Sequence, residues 1–257
     1  DGEIARDVPA RRLRRGIKKA LVRQSPDAVV VPGWWDPGAL VAIEWAARND
    51  IPVVMMSDTT ALDTSQAWWR EAPKRRIVAL AQEALVAGTR HADYMAHLGM
   101  PRWCIHRGYD VVENQHFAEG ADAARSRANV LRTEHELPAK FFLACCRFVE
   151  KKNLFRLVEA YAAYAERADA RPWALVLVGD GPQRGDLETQ VEMLGVASHV
   201  HFAGFRQYDE LPLYYGLASA FVHASTQEQW GLVVNEAMAA GLPVLVSERC
   251  GCAPDLV

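Results

Sequence analysis

The chain has 257 residues, 50% hydrophobic and 24% charged, with a formal net charge of −3. That is enough apolar material for one large core or two smaller ones, and the charge balance excludes a globally basic nucleic-acid binder. No stretch approaches the roughly 18–20 uncharged apolar residues of a membrane span, and the opening DGEIARDVPARRLRR lacks the apolar middle of a signal peptide.

The first pattern is basic and helical. Residues 8–26 carry Arg11, Arg12, Arg14, Arg15, Lys18, Lys19 and Arg23 with no acid, while Leu13, Ile17 and Leu21 repeat at helical spacing. The stripe fits either a surface helix packed on the core or a peripheral contact of residues 11–23 with an anionic membrane. From residue 27, short apolar runs alternate with helical segments: DAVVVPG, a helix over about 37–49, IPVVMMS, a helix near 66–80, EALVAG and a helix near 89–98. This alternation predicts a parallel sheet covered by helices. Residues 101–140 break the rhythm with PRWCIHRGYDVVENQHF and a charged, helical connector, AEGADAARSRANVLRTEHELP.

After Pro138 the alternation resumes: KFFLACC, a helix near 153–167, WALVLVG, a helix near 183–194, HVHFAG, a helical YDELPLYYGLA, AFVHAS, EQWGLVVNEAMAAG as helix, and LPVLVS. The fold class expected is α/β with two Rossmann-like domains, residues 1–120 and 121–257. Because the chain opens on a helix and stops just after a strand, both domains are expected to be partial, without the first strand-helix units and the C-terminal helices. Five cysteines form no disulfide framework, so a reducing, cytoplasmic setting is expected. Cys250 and Cys252 lack a second ligand pair and read as small apolar residues, not as a metal site.

In doubly wound sheets, ligands bind beyond the carboxyl ends of the strands. The first such loop of the second half, CCRFVEKKN, carries Arg147 and Lys152, two cations suited to a diphosphate or else solvated loop charges. The second, GDGP, places Gly179 and Gly181 where backbone turns or meets a ligand, without the dinucleotide fingerprint. The third offers Gly204 and Phe205, a nucleobase platform or a core aromatic.

The fourth, HASTQEQWGL, has Gly231 opening a helix whose first amides, Leu232 and Val233, favour an anion. Glu228 precedes this point and Glu236 follows it. Were the whole stretch helical, the two would be about 12 Å apart along the axis, beyond the roughly 5–9.5 Å of glycosidase acid/base pairs. One acid per sugar ring on either side of an anion therefore fits better than proton transfer. Trp34, Trp35, Trp68 and Trp69 are either packing residues or sugar-stacking platforms.

The segments RFVEKKNLFRLVEAY, LVLVGDGPQRGDLE, VHFAGFRQYDELPLYYGLASAFVHAS and EQWGLVVNEAMAAGLPVLVS together resemble the nucleotide-binding domain of family 4, retaining GT-B glycosyltransferases, which carries the Glu, seven residues, Glu spacing. The preceding half resembles the acceptor-side domain more loosely, with Gly108-Tyr109-Asp110 where the family has Gly-Val-Asp and Asp58 near the place of a frequent histidine. The resemblance implies transfer of a sugar from a UDP- or GDP-sugar donor to a saccharide or lipid-linked acceptor, without a metal or other cofactor, in polysaccharide or glycolipid assembly. It implies that Arg147 and Lys152 neutralise the leaving diphosphate and that Glu228 holds donor-sugar hydroxyls. Glu236 would hold the ribose and Asp58 would contact donor or acceptor hydroxyls. A nucleotide-sugar binding module without transfer activity and a GT-B nucleotide-sugar epimerase are the alternative readings.

Overall fold

The computed structural model describes residues 9–63, 68–168 and 171–257. Residue 8 of the basic segment and residues 66–67 of the sequence-predicted helix 66–80 lie outside them. The chain divides into two compact units, Asp1–Asp110 and Val111–Val257.

The first unit runs α1 (Ala10–Gln24), β1 (Val29–Pro32), α2 (Pro37–Arg48), β2 (Val53–Ser57), α3 (Trp68–Val78), β3 (Glu83–Val86), α4 (Thr89–His97) and β4 (Ile105–Arg107). The strands form one parallel sheet in the order β1-β2-β3-β4. Val29 and Val31 of β1 and Val53 and Met55 of β2 point inward, where β-branched side chains fill a pleated surface well, and the helices cover them. Asp36 caps α2 by accepting the Ala39 amide at 2.9 Å, with Pro37 pre-set for the first turn. The apolar stripe of α1 is turned inward: Ile17 and Leu21 pack against the core, and Arg14 donates to Glu44 of α2. β4 was not anticipated, because three residues with only one apolar side chain give no periodic signal.

The second unit runs α5 (Asn114–Ser126), α6 (Ala128–Glu134), β5 (Phe141–Cys145), α7 (Leu154–Arg167), β6 (Ala174–Val178), α8 (Arg184–Met193), β7 (Val200–Gly204), α9 (Leu211–Leu217), β8 (Ala220–His223), α10 (Leu232–Ala239), β9 (Val244–Val246) and α11 (Ala253–Leu256). Its parallel sheet has the order β7-β6-β5-β8-β9. Every residue of β6 is buried, as expected of a strand covered on both faces. The order reverses direction between β5 and β8, so the loops leaving these two strands part to opposite sides and frame a crevice at their carboxyl ends.

The units divide ahead of residue 120, where the sequence-drawn boundary fell, and the reason is packing. The segment read as a connector contains α5, which belongs to the second unit through close contact with α9. A Cβ on Gly216 would lie 2.7 Å from the Ala121 carbonyl oxygen, and one on Gly120 would lie 2.5 Å from Cβ of Pro212. The two helices approach this closely because neither glycine carries a side chain.

Gly216→Ala should therefore cost about 1–3 kcal/mol of stability. Gly185→Ala in α8, where nothing lies within 4 Å of the added carbon, should be neutral or stabilising by up to about 1 kcal/mol. Urea unfolding of both variants checks the contrast, and equal effects would contradict the close-packed α5–α9 contact.

Candidate functional site

Two loops meet at the crevice. After β5 the chain passes Arg147 and a single 3-10 turn, Glu150–Lys152, before Asn153 enters α7 in the left-handed conformation, φ 57°. After β8 it passes Ser225 and Thr226 to Glu228 and Gly231. The loops are joined by their backbones: the Thr226 amide donates to the Lys151 carbonyl at 2.9 Å, and Asn153 Nδ2 donates to the Ala224 carbonyl at 3.2 Å.

Glu228 is the centre of this junction. Its Oε2 accepts from Lys152 Nζ in an ion pair with both side chains largely buried. The same oxygen meets His223 Nε2 at 3.0 Å and accepts from Ser225 Oγ at 3.1 Å. Burial alone would raise the Glu228 pKa, but the hydrogen bonds and charges of His223 and Lys152 outweigh it and bring the carboxyl down to about 2. These donors converge on Oε2, and Oε1 makes no such contact among the described residues.

The position of Glu228 is also set from behind. It forms a parallel bridge with Cys250, its carbonyl accepts the Gly251 amide at 2.9 Å, and the Trp230 carbonyl accepts the Cys252 amide at 3.1 Å. Helix α10 is shorter than the sequence-predicted stretch 228–241: it begins at Leu232, and residues 228–230 are held in this extended pairing. Gly231 turns between the two with φ 108°, where an added Cβ would lie 3.3 Å from Glu228 Cγ and 3.5 Å from Cys252 Sγ. Both cysteines are fully buried and act as small apolar wedges beneath the acid. Leu232 and Val233 form the first turn, with no side-chain cap on their amides.

Glu236 lies one turn into α10, 9% exposed, and accepts from the Tyr215 hydroxyl at 2.7 Å. Burial pushes its carboxyl above the ordinary 4.5, against the opposing pull of Tyr215 and of the His116 imidazole. The two carboxyls are thus pulled in opposite directions: donors hold Glu228 ionised, whereas burial works against the charge on Glu236. His116 stacks on Tyr208 at 4.5 Å between ring centres, which fixes the imidazole on that side.

The remaining sequence-predicted residues are placed less closely. Arg147 is exposed in the β5 loop, and its side chain makes no hydrogen bond or ion pair among the described residues. Gly179 and Gly181 have packing reasons for lacking a side chain: added carbons would lie 1.9 Å from the Cys146 carbonyl oxygen and 2.5 Å from that of Phe148. They let the GDGP turn close over the β5 loop that bears Arg147. Gly204 ends β7 with φ 74°, and Phe205 beyond it is 66% exposed rather than core.

Asp58 belongs to the first unit, after β2. There burial, together with the Asp58 charge, lifts Asp110 to about 6. Of the four tryptophans singled out, Trp34 is buried while Trp35, Trp68 and Trp69 are exposed. His223, Ser225 and Tyr215 escaped the sequence reading: the first ends a strand and the last sits in an apolar helix, and neither position has a spacing that announces a role.

A carboxylate whose pKa falls on folding stabilises the fold above its unfolded value, and that contribution is lost as pH falls toward the folded pKa. Stability from Glu228 should therefore be complete above about pH 4.5 and disappear by about pH 2. Side-chain carbon NMR should give Glu228 a midpoint of about 2, rising in Lys152→Met. A wild-type midpoint of 4.5 or above would contradict the buried ion pair.

Comparison with known proteins places this geometry. Residues 130–257, most of the second unit, match the family model described as glycosyl transferases group 1. The chain is 30% identical over 243 residues to a GDP-mannose-dependent alpha-mannosyltransferase of Mycobacterium tuberculosis, covering 93% of this chain and 58% of that protein. It is 34% identical over 101 residues to the alpha-monoglucosyldiacylglycerol synthase of Acholeplasma laidlawii, covering 39% of this chain and 25% of that one. Anabaena Alr3699/HepE, solved in complex with UDP, shares the fold with a TM-score of 0.71 at 19% identity, covering 93% of this chain and 65% of that one. The two parallel α/β units are thus those of the GT-B architecture. The chain spans less than two thirds of the length of each of these proteins.

Proposed function

We propose that this chain carries the donor-binding machinery of a retaining, family 4 glycosyltransferase that moves a sugar from a nucleotide diphosphate sugar to a saccharide or lipid-linked acceptor. The observation that carries the proposal is the Lys152–Glu228 pair at the β5/β8 crevice, with Glu228 four residues ahead of Leu232, the first residue of α10. It puts a cation, a hydroxyl acceptor and a helix start together, the set of groups that a sugar diphosphate calls for. GDP-mannose in the name of one relative and UDP in a structural neighbour support a nucleotide-sugar donor.

In this reading the diphosphate lies at the uncapped amides of Leu232 and Val233, where the helix dipole favours negative charge. Lys152 and Arg147 neutralise the charge that grows on the leaving diphosphate as the glycosidic bond breaks, the role a metal ion plays elsewhere. Glu228 accepts from donor-sugar hydroxyls through Oε1, and Glu236 accepts from the ribose. Phe205 and Gly204 flank the base. Asp58, on the first unit, contacts donor or acceptor hydroxyls. Metal independence belongs to the proposal and is read from full turnover in EDTA.

Lys152→Ala should reduce turnover about 10²–10³-fold, the usual cost of removing one preorganised charge-stabilising group, with a smaller change in donor KM. Glu236→Gln should weaken UDP or GDP binding about tenfold, one lost charge-assisted hydrogen bond. It should leave the unliganded protein as stable as before or more so, because a buried carboxylate is replaced. Isothermal calorimetry and thermal melting check both; undiminished nucleotide affinity in Glu236→Gln would remove the ribose role. Release of nucleoside diphosphate that requires an acceptor separates transfer from a binding module, and product analysis without acceptor exposes an epimerase.

The membrane contact of residues 11–23 is part of the same proposal, in a cytoplasmic protein working at the inner face. Among the described residues, no helix is long and apolar enough to cross a membrane. Since Ile17 and Leu21 face the core, only the basic face of α1 is available, and attraction to anionic lipid is worth about 1 kcal/mol per lysine or arginine near the surface. Reversing Arg11, Arg15 and Lys19 to glutamate should abolish co-sedimentation with phosphatidylglycerol vesicles. Unchanged sedimentation would discard the contact.

A further inference from the structure

The strands of the second sheet also begin beside a concentration of cationic chemistry. A cavity of about 520 Å³ at these strand starts is lined by Lys140, Arg171, Trp173, Ser198, His199 and His201, together with backbone and small side chains. Lys140 precedes β5, Arg171 and Trp173 precede β6, and the serine and histidines lead into and along β7. A five-residue strand spans about 16 Å, so this cavity stands a full sheet height from Lys152 and Glu228.

The cavity is built rather than incidental. Trp173 is fixed on three sides: its amide donates to the Tyr164 hydroxyl at 3.0 Å, its carbonyl accepts from the Tyr161 hydroxyl at 3.0 Å, and its ring packs on Phe142 at 5.2 Å. Lys140 Nζ lies 5.6 Å from the centre of that ring, a cation–π contact that leaves the ammonium donors free for another partner. Ser198 Oγ and His199 Nδ1 are 2.8 Å apart, and His201 is half-buried beside them. No carboxylate lines the cavity, and neither Lys140 nor Arg171 has an acidic partner among the described residues. An ammonium, a guanidinium, a hydroxyl and two imidazoles lining one cavity without a counter-charge among the described residues form a field that an anion with several oxygens would satisfy. The volume falls within the range of small-molecule sites and exceeds what one phosphate ion fills.

We propose that this cavity binds the phosphate monoester of a small sugar, at a site separate from the donor crevice. The phosphoryl oxygens meet Lys140, Arg171 and Ser198, and the sugar occupies the remaining space between Trp173 and the imidazoles. The proposal does not depend on the transfer reaction.

NMR of the imidazole signals of His199 and His201 tests it, with glucose 6-phosphate, inorganic phosphate and glucose as probes at constant ionic strength. Saturable shifts with the two phosphates, tighter for the ester, and none with glucose are expected. Lys140→Ala with Arg171→Ala should weaken the response at least about tenfold, the loss of one charged hydrogen bond or more, while the melting temperature holds. Should that pair fail to fold, Lys140→Gln alone gives the same readout. Equal shifts with glucose, no saturation, or shifts that survive the substitutions would overturn the proposal.

Discussion

An ion pair between two loops organises the second unit. Lys152 and Glu228 come from strands 5 and 8, which are neighbours in the sheet but 76 residues apart in sequence. The direct pairing of β5 with β8 in the sheet brings the starts of their loops together before the connections part. Taking two charges out of water is costly unless hydrogen bonds replace the lost hydration, and here His223 and Ser225 complete the shell of the carboxylate. The result is an acid held in one orientation before any ligand arrives, the kind of preorganisation that makes a polar group effective in binding charge or hydroxyls.

Glu236 presents the opposite case a turn away. Burial raises its pKa and the Tyr215 hydrogen bond only partly offsets that, so the fold keeps a desolvated carboxyl one turn into a helix. Such a group lowers the stability of the isolated unit and gains most when a hydroxyl-bearing ligand meets it. The two acids thus differ in how they are held, Glu228 by a full shell of protein donors and Glu236 by the Tyr215 hydroxyl. The Tyr215 hydroxyl links Glu236 to the α9 helix, whose tight seat on α5 makes residues 114–126 part of the site's foundation, and α5 also supplies His116, whose charge acts on Glu236.

Much of this was legible in the sequence because strand and helix leave different periods. The strands of both sheets, other than β4, and the principal helices fall where apolar runs and amphipathic stretches place them. β4 was missed for want of apolar residues, and α5 was read as a connector because its charged exposed face masks the few side chains, Phe117, Ala121 and Ala124, that it buries. The candidate site was readable to the extent that it lies at strand ends: Lys152, Glu228, Gly231 and Glu236 converge on one crevice. What stayed hidden is lateral. His223 ends a buried strand, Tyr215 sits in an apolar helix and Cys252 follows the site in sequence, so their contacts arise from tertiary packing alone. Gly181 shows the reverse: a glycine suited to a ligand turns out to be spent on the approach of the Phe148 backbone.

The pairing of residues 228–230 with residues 250–252 has a consequence for the order in which the polypeptide is made. A ribosome delivers the acid roughly twenty residues before the segment that braces it. Until that segment emerges, the stretch around Glu228 has no backbone partner on that side, and the turn at Gly231 has nothing to close against. The α5, β5 and β6 framework can assemble while synthesis continues, but the Glu228 loop locks only once residues 250–252 have emerged, so a nascent chain stalled before Cys250 would hold an unset acid loop.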